Sequence, residues 1–346
     1  MKKRLMAVCV GVCMTAALLA GCGSSAKETT TAAPAGSSPA ATQAPAAESP
    51  AAGDVDLSKK NIVVILKNNT SPFFLTVAEG AEAAGKELGV NVSVQTPVGT
   101  QEGAGNEEQT QLVEQAIASQ ADLVVMCPVD SEGIVPAIKK LKEANIPVVN
   151  LNTKIGGSEV MWETFVAIEN YDVGYGVADE LCKAMEGKGK IFIIEGTTGA
   201  QTSIDRTAGA KDAIAKYPDI EIVADQSASY NRATAMDVVQ NLLQQTPDVN
   251  AIFCCNDEMA LGSVEAVDAA GKGGQIFIGG VDGNTDALQA IQDGTMYVTC
   301  NSQPYNQGYG AVEAAVKVLK GEQLEDFYKT DSAIITKENV ADFIGK

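Results

Sequence analysis

The chain has 346 residues, 45% of them hydrophobic, enough for two domains with cores of their own. Its 44 acidic residues against 25 basic ones leave a formal charge of -19, a surface that repels nucleic acid and anionic lipid headgroups. Histidine is absent, which excludes Ser-His-Asp and Cys-His catalysis and the HExxH zinc helix.

The first 22 residues, MKKRLMAVCVGVCMTAALLAGC, combine a basic start, an apolar run from Leu5 to Ala20 and small residues before a cysteine. That is the pattern of a secretory signal. Its ending, Leu19 to Cys22, resembles the lipobox of bacterial lipoproteins, which implies cleavage before Cys22 and a lipid on its sulfur. Residues 23–57 are rich in Ala, Ser, Thr and Pro, and up to residue 54 they carry no aromatic. Such a segment buries too little surface to fold and is expected to be a flexible tether, with a root-mean-square reach of roughly 30 to 35 Å. Past it stand Cys127, Cys182, Cys254, Cys255 and Cys300. They are odd in number, lack CxxC spacing and lie in strand-like or helix-like runs, so they read as buried thiols rather than disulfides or a metal site.

From residue 61 onward a short apolar strand, a polar turn and an amphipathic helix alternate. NIVVIL opens the series at Asn61. Phe74, Val77, Ala81, Ala84 and Leu88 then recur at helical spacing. Further strands are predicted at VNVSV, DLVVMC, IPVVNLN, TFVAIE, KIFIIEG, EIVADQ, AIFCCN, QIFIGGVD and MYVTCN. Ten strands over this length exceed one ordinary sheet. The expected fold class is α/β, with two Rossmann-like lobes of parallel sheet joined by a hinge of several short crossovers.

Polar residues gather at the strand ends, the carboxyl edges where open α/β sheets bind ligands. Asn152 follows VVNL, Asn256 and Asp257 follow AIFCC, Asp282 follows FIGGV, and Asn301, Ser302 and Gln303 follow YVTC. Arg206 lies in a helical run, Tyr230 follows the seventh strand, and NNTSPFF sets Ser71, Phe73 and Phe74 after the first. Taken singly, Asn256, Asp257 and Asp282 are plausible helix caps. Taken together, carboxylate, amides, guanidinium and aromatic rings are what a polyhydroxylated ligand needs: paired hydroxyls donate and accept, and a C–H face stacks on a ring. Of the two phenylalanines, Phe74 has the helical register of a core residue. Lys67 points to the same edge; a solvated ammonium is its expected fate, with a hydroxyl or a sugar acid as the other.

SPFFLTVAEGAEAAGKELG, DLVVMCPVDSEG, ANIPVVNLN, NLLQQTPDVNAIFCCNDEMALGSVEAV and IGGVDGNTDALQAIQDG together resemble the type 1 periplasmic binding proteins of the ribose- and galactose-binding group, from about residue 60 to 325. The resemblance implies lobes of residues 58–168 plus about 303–332, and 169–302 plus about 333–346. It also implies one monosaccharide or polyol trapped in the cleft, and delivery to an ABC permease and its ATPase. By position it assigns ligand contacts to Ser71, Phe73, Phe74, Asn152, Arg206, Tyr230, Asn256 and Asp282, and to Ser302 or, one register on, Gln303. Ribose binders carry Asp-Arg where this chain has Asn152 and Thr153, and galactose binders an acid where GAQTS has none; hexose, pentose, polyol and inositol stay open.

The expectation is therefore an exported, lipid-anchored, monomeric receptor at the outer face of the cytoplasmic membrane, with no enzymatic activity, cofactor or metal. A LacI-type repressor has no basic helix-turn-helix here, and an enzyme has no GxGxxG, GxxxxGK[ST] or GxSxG. A sensor of the same fold for a non-sugar signal or nucleoside, feeding a chemotaxis or sensor-kinase partner, is the alternative.

Overall fold

The computed structural model describes residues 55–98 and 105–345. The leader, Cys22 and the tether up to residue 54 lie outside the described residues.

In chain order the elements are β1 (Asn61–Ile65), α1 (Pro72–Leu88), β2 (Asn91–Gln95), α2 (Asn106–Ala118), β3 (Leu123–Met126), α3 (Val135–Glu143), β4 (Val148–Leu151) and β5 (Thr164–Ala167). There follow α4 (Asn170–Ala184), β6 (Lys188–Glu195), α5 (Gln201–Ile214), β7 (Asp219–Ser227), α6 (Arg232–Gln245), β8 (Ala251–Cys254) and α7 (Asp257–Ala269). The last are β9 (Phe277–Gly279), α8 (Thr285–Asp293), β10 (Val298–Asn301), α9 (Pro304–Leu319), β11 (Phe327–Lys329) and β12 (Ala333–Thr336).

All ten predicted strands form. Two more, β11 and β12, were not legible, because they are three and four residues long and lie at the edges of their sheets. The strands make two sheets, ordered β11-β5-β4-β3-β1-β2 and β12-β10-β9-β8-β6-β7. Pairing is parallel except for β10 with β12. The chain therefore passes between the sheets three times: after β5, after β10 and between β11 and β12. The first strand of each half lies inside its sheet, with the second on one flank and the third on the other, so each sheet has a switch point at its carboxyl edge.

Helices cover both faces of each sheet, which is why the inner strands are continuous apolar runs. In β1 the faces alternate: Ile62 and Val64 pack with Phe74, Val77 and Val312, whereas Val63 and Ile65 pack with Val113, Ile138 and Leu141. The five cysteines of this region are all buried, and burial pushes the Cys182 and Cys300 thiols up to about 12. They stay protonated and unreactive at neutral pH.

Helix pairs cross closely at glycines. α1 crosses α9 where Gly80 lies against the Tyr305 backbone and Gly308 against that of Val77. In the second half α4 crosses α5, and a Cβ at Gly174 would sit 2.6 Å from the Arg206 Cα. Only glycine permits that approach. Gly174→Ala is thus expected to force the helices apart and lower stability by roughly 1–3 kcal/mol, read as a lower urea midpoint with an unchanged slope. A midpoint equal to that of the parent would show that the crossing has slack.

Candidate functional site

The carboxyl edges of the two sheets face each other and their loops touch. The Ser131 amide donates to the Gly199 carbonyl at 3.2 Å, the Gln201 amide donates to the Ser131 hydroxyl at 3.0 Å, and the hydroxyls of Thr153 and Thr202 are 3.4 Å apart. Between these contacts the polar strand ends are buried, and each needs partners there.

On the first sheet, Gln109 of α2 fastens the ends of β1 and β3. Its amide donates to the Leu66 and Cys127 carbonyls at 3.1 and 2.8 Å, and its oxygen accepts from the Val129 amide at 2.9 Å. The loop after β1 is shaped by Asn68, whose side-chain oxygen accepts from the amides of Thr70 and Ser71 at 3.1 and 2.9 Å. That turn delivers Ser71 as the first residue before α1, with its hydroxyl making no cap hydrogen bond. Phe73 and Phe74 both pack in the core, edge to face at 5.0 Å, so the core role expected of Phe74 is shared by Phe73. Asn152 takes a left-handed backbone, φ 58°, and donates from its amide to the Gln307 oxygen at 3.1 Å. Gln307 donates in turn to the Ser302 carbonyl at 2.6 Å.

On the second sheet Arg206 is 3% exposed. Its Nε donates to the Asn170 oxygen at 2.9 Å and its Nη1 to the Cys255 carbonyl at 2.7 Å, with the Asp282 carboxylate 3.8 Å away. Asn256 caps α7 by accepting from the Met259 amide at 3.0 Å, so the capping role holds for that residue. It fails for Asp282: Asn284 occupies the cap position of α8, and Asp282 is held at φ 133° beside Asn301. The Asp282 amide donates to the Cys300 carbonyl at 2.9 Å, and its carbonyl accepts from the Ser302 amide at 3.2 Å. Tyr230 also has a left-handed backbone, φ 61°, and its hydroxyl donates to that of Thr202 at 3.0 Å. Its ring occupies the space a side chain at Gly196 would fill. Burial pushes the Tyr230 hydroxyl well above its ordinary range, so it stays a neutral donor.

Lys67 departs from expectation. It is 9% exposed, not a solvated ammonium, and its Nζ lies 5.6 Å from the centre of the Tyr230 ring. A cation of the first sheet thus meets an aromatic ring of the second. Nothing in the local pattern signals this, since the end of a strand is ordinarily wet.

Asn152, Arg206, Tyr230, Asn256, Asp282 and Ser302 thus stand at the facing edges, Ser71 ends the loop after β1, and Phe73 and Phe74 belong to the core of the first sheet. Gln303 diverges. It takes φ 49°, its side chain accepts from Asn306, and it lines a separate depression with Tyr309 and Tyr328. Sequence reasoning missed Gln109, Asn170, Thr202 and Gln307, polar residues inside helices whose burial shows only once the sheets are assembled.

The family described as the periplasmic binding protein domain matches residues 62–323. The chain is 30% identical over 282 residues to the ribose import binding protein of Escherichia coli, covering 82% of this chain and 92% of that one. It is 34% identical over 283 residues to the ribose import binding protein of Bacillus subtilis, covering 81% and 88%. Among solved structures, it resembles an ABC transporter periplasmic solute binding protein from Actinobacillus succinogenes with bound D-allose. The TM-score is 0.76 at 31% identity, covering 82% of this chain and 100% of that one.

Arg206→Met keeps the aliphatic bulk but removes the donors to Asn170 and Cys255 and the cation beside Asp282. The expected loss of stability is roughly 3–5 kcal/mol, as for breaking other buried charged contacts, measured by urea unfolding. A loss below about 1 kcal/mol would mean that water replaces the guanidinium, as at an exposed pair.

Proposed function

The chain belongs to the periplasmic binding protein family, and from that premise we propose that it captures one monosaccharide or polyol between its two sheets and delivers it to an ABC importer. The observation that carries the reading is the burial of Asp282, Arg206, Asn256 and Asn152 at the facing carboxyl edges, with Arg206 and Asp282 paired and Tyr230 bonded to Thr202 between the sheets. Asp282 accepts from two adjacent hydroxyls, the amides give and take, and the tyrosine ring covers a C–H face. The names of the relatives, ribose import in two and D-allose in a third, support a sugar of five or six carbons.

Sheet membership supports lobes of residues 58–168 plus about 303–332, and 169–302 plus about 333–346, because β11 joins the first sheet and β12 the second. The open form binds, contacts to both lobes favour closure, and the permease recognises the closed shape. The protein acts as a monomeric carrier and not as an enzyme. The leader and LAGC support export and a lipid on Cys22, with the Ala/Ser/Thr/Pro tether spanning from the membrane to the folded part.

The deciding experiment is a thermal-shift screen of the protein against pentoses, hexoses, inositols, sugar acids, nucleosides and amino acids. A ligand at one hundred times its dissociation constant should add about 2.7 kcal/mol of stability. A sugar or polyol is expected to respond. Silence from every sugar with a response to a nucleoside would replace the cargo while leaving the fold. Asp282→Ala is expected to weaken the responding ligand by roughly 2–5 kcal/mol, and unchanged affinity would remove Asp282 from the site. Separately, Cys22→Ser is expected to release the protein from membrane pellets into the soluble fraction; continued sedimentation with membranes would exclude the anchor.

A further inference from the structure

The loop that carries Asp282 is tied to the buried Arg206 by the Asp282 carboxylate, 3.8 Å from Nη1, and the rest of its shape depends on backbone groups. It leaves β9, places Asp282 at φ 133°, turns at Gly283 with φ 76°, and enters α8 at Asn284, whose side chain makes no cap hydrogen bond. Two successive amides, those of Gly283 and Asn284, therefore point inward and need an acceptor.

Asp257, the first residue of α7, supplies it. The side chain is fully buried. Its Oδ2 accepts from the Asn284 amide at 2.8 Å and its Oδ1 from the Thr299 hydroxyl at 2.6 Å, while the Gly283 amide also donates to the carboxylate. Its own amide donates to the Val281 carbonyl at 2.7 Å. Space for the carboxylate exists because Gly280 carries no side chain where Oδ1 lies. One carboxylate thus joins α7, β10 and the loop that carries Asp282.

We propose that Asp257 is a positioning residue that sets the geometry of the Asp282 loop and through it the affinity of the cleft. The proposal rests on the carrier reading above for what the cleft does, and on the hydrogen bonds alone for what Asp257 does.

Burial is the larger influence on this carboxyl and pushes it up to about 6, against the hydrogen bonds from Thr299, Asn284 and Gly283, which pull it down; the neighbouring Glu258 adds to the rise. The other titratable groups facing it are the thiols of Cys254 on β8 and Cys300 on β10. The sign of the linkage follows. A carboxyl raised in the fold contributes stability below its unfolded value, and that contribution is lost as pH rises through about 6. The loop responds in the opposite sense: its two amides are held by charge-assisted bonds above that pH and by weaker neutral ones below it. A residue that served only overall stability would move both quantities together. Asp257 is expected to move them apart.

The test is backbone amide exchange across residues 280–288 of the full chain, corrected for the intrinsic rate at each pH, alongside the global melting temperature. In the parent, loop protection is expected to fall about fivefold between pH 7.5 and 5.0, in line with the loss of charge assistance. Asp257→Asn is expected to show the low protection at both pH values and a melting temperature at pH 7.5 no lower than that of the parent. Thr299→Val removes a bond that favours the carboxylate, and should move the loop transition to higher pH. Parent-like protection in Asp257→Asn, or an unmoved transition in Thr299→Val, overturns the proposal. Calorimetric titration with D-allose supplies the other arm: about fivefold weaker binding by Asp257→Asn supports the positioning role, and a loosened loop with unchanged affinity overturns it. If the parent does not bind D-allose, the titration is repeated with D-ribose and with whichever sugar or polyol the thermal-shift screen selects; silence from all of them counts against the sugar assignment, and the exchange data then decide the role of Asp257 on their own.

Discussion

A buried guanidinium organises the second half of this protein. Arg206 brings a guanidinium with several donors into a buried site, 3% exposed, so the surroundings must supply acceptors in fixed directions. Asn170 from the start of α4, the Cys255 carbonyl at the end of β8 and the Asp282 carboxylate after β9 do so. Those groups come from three separate turns. Meeting the needs of one side chain therefore fixes the relative placement of a helix start and two strand ends.

That placement depends on backbone approach as much as on charge. Arg206 reaches inward because α5 lies close against α4, with Gly174 and Gly209 at the crossing. The first half repeats the device without the charge: Gly80 and Gly308 let α1 and α9 meet, and the neutral Gln109 ties the ends of β1 and β3. Asn150 does similar work one strand over, donating to the Met126 and Thr153 carbonyls and accepting from the Ile155 amide. Each sheet edge is thus held by side chains that satisfy strand-end carbonyls and amides which would otherwise be buried without partners. The polar groups of the cleft stand on that frame, and a cleft whose side chains already have partners loses little freedom when a ligand arrives.

Much of the fold was legible because burial in a doubly covered sheet is a local and repetitive constraint. A strand such as NIVVIL needs apolar residues on both faces wherever it sits, and the helix after it needs them at three and four spacing. The carboxyl edges were legible for the same reason: Asn152, Asn256 and Asp282 stand out because they interrupt apolar runs. β11 and β12 interrupt nothing and were not seen. Lys67 is buried against Tyr230 rather than solvated, since the fate of a cation at a strand end depends on what the other half of the molecule brings to it.

The sequence by itself determined the class of fold, the order of its elements and which strand ends carry polar groups, because each is written in composition or in a short period. The tertiary structure alone decided which of those groups meet. Asn152 and Gln307 are 155 positions apart, and Arg206 meets Asp282 only after the chain has passed through β7, β8 and β9. It also separated Ser302, buried beneath the Asp282 loop, from Gln303 next door, whose side chain turns to Asn306. Apolar burial needs only a face to turn inward, whereas a buried polar group needs a particular partner at hydrogen-bond distance, and no local pattern specifies where that partner comes from.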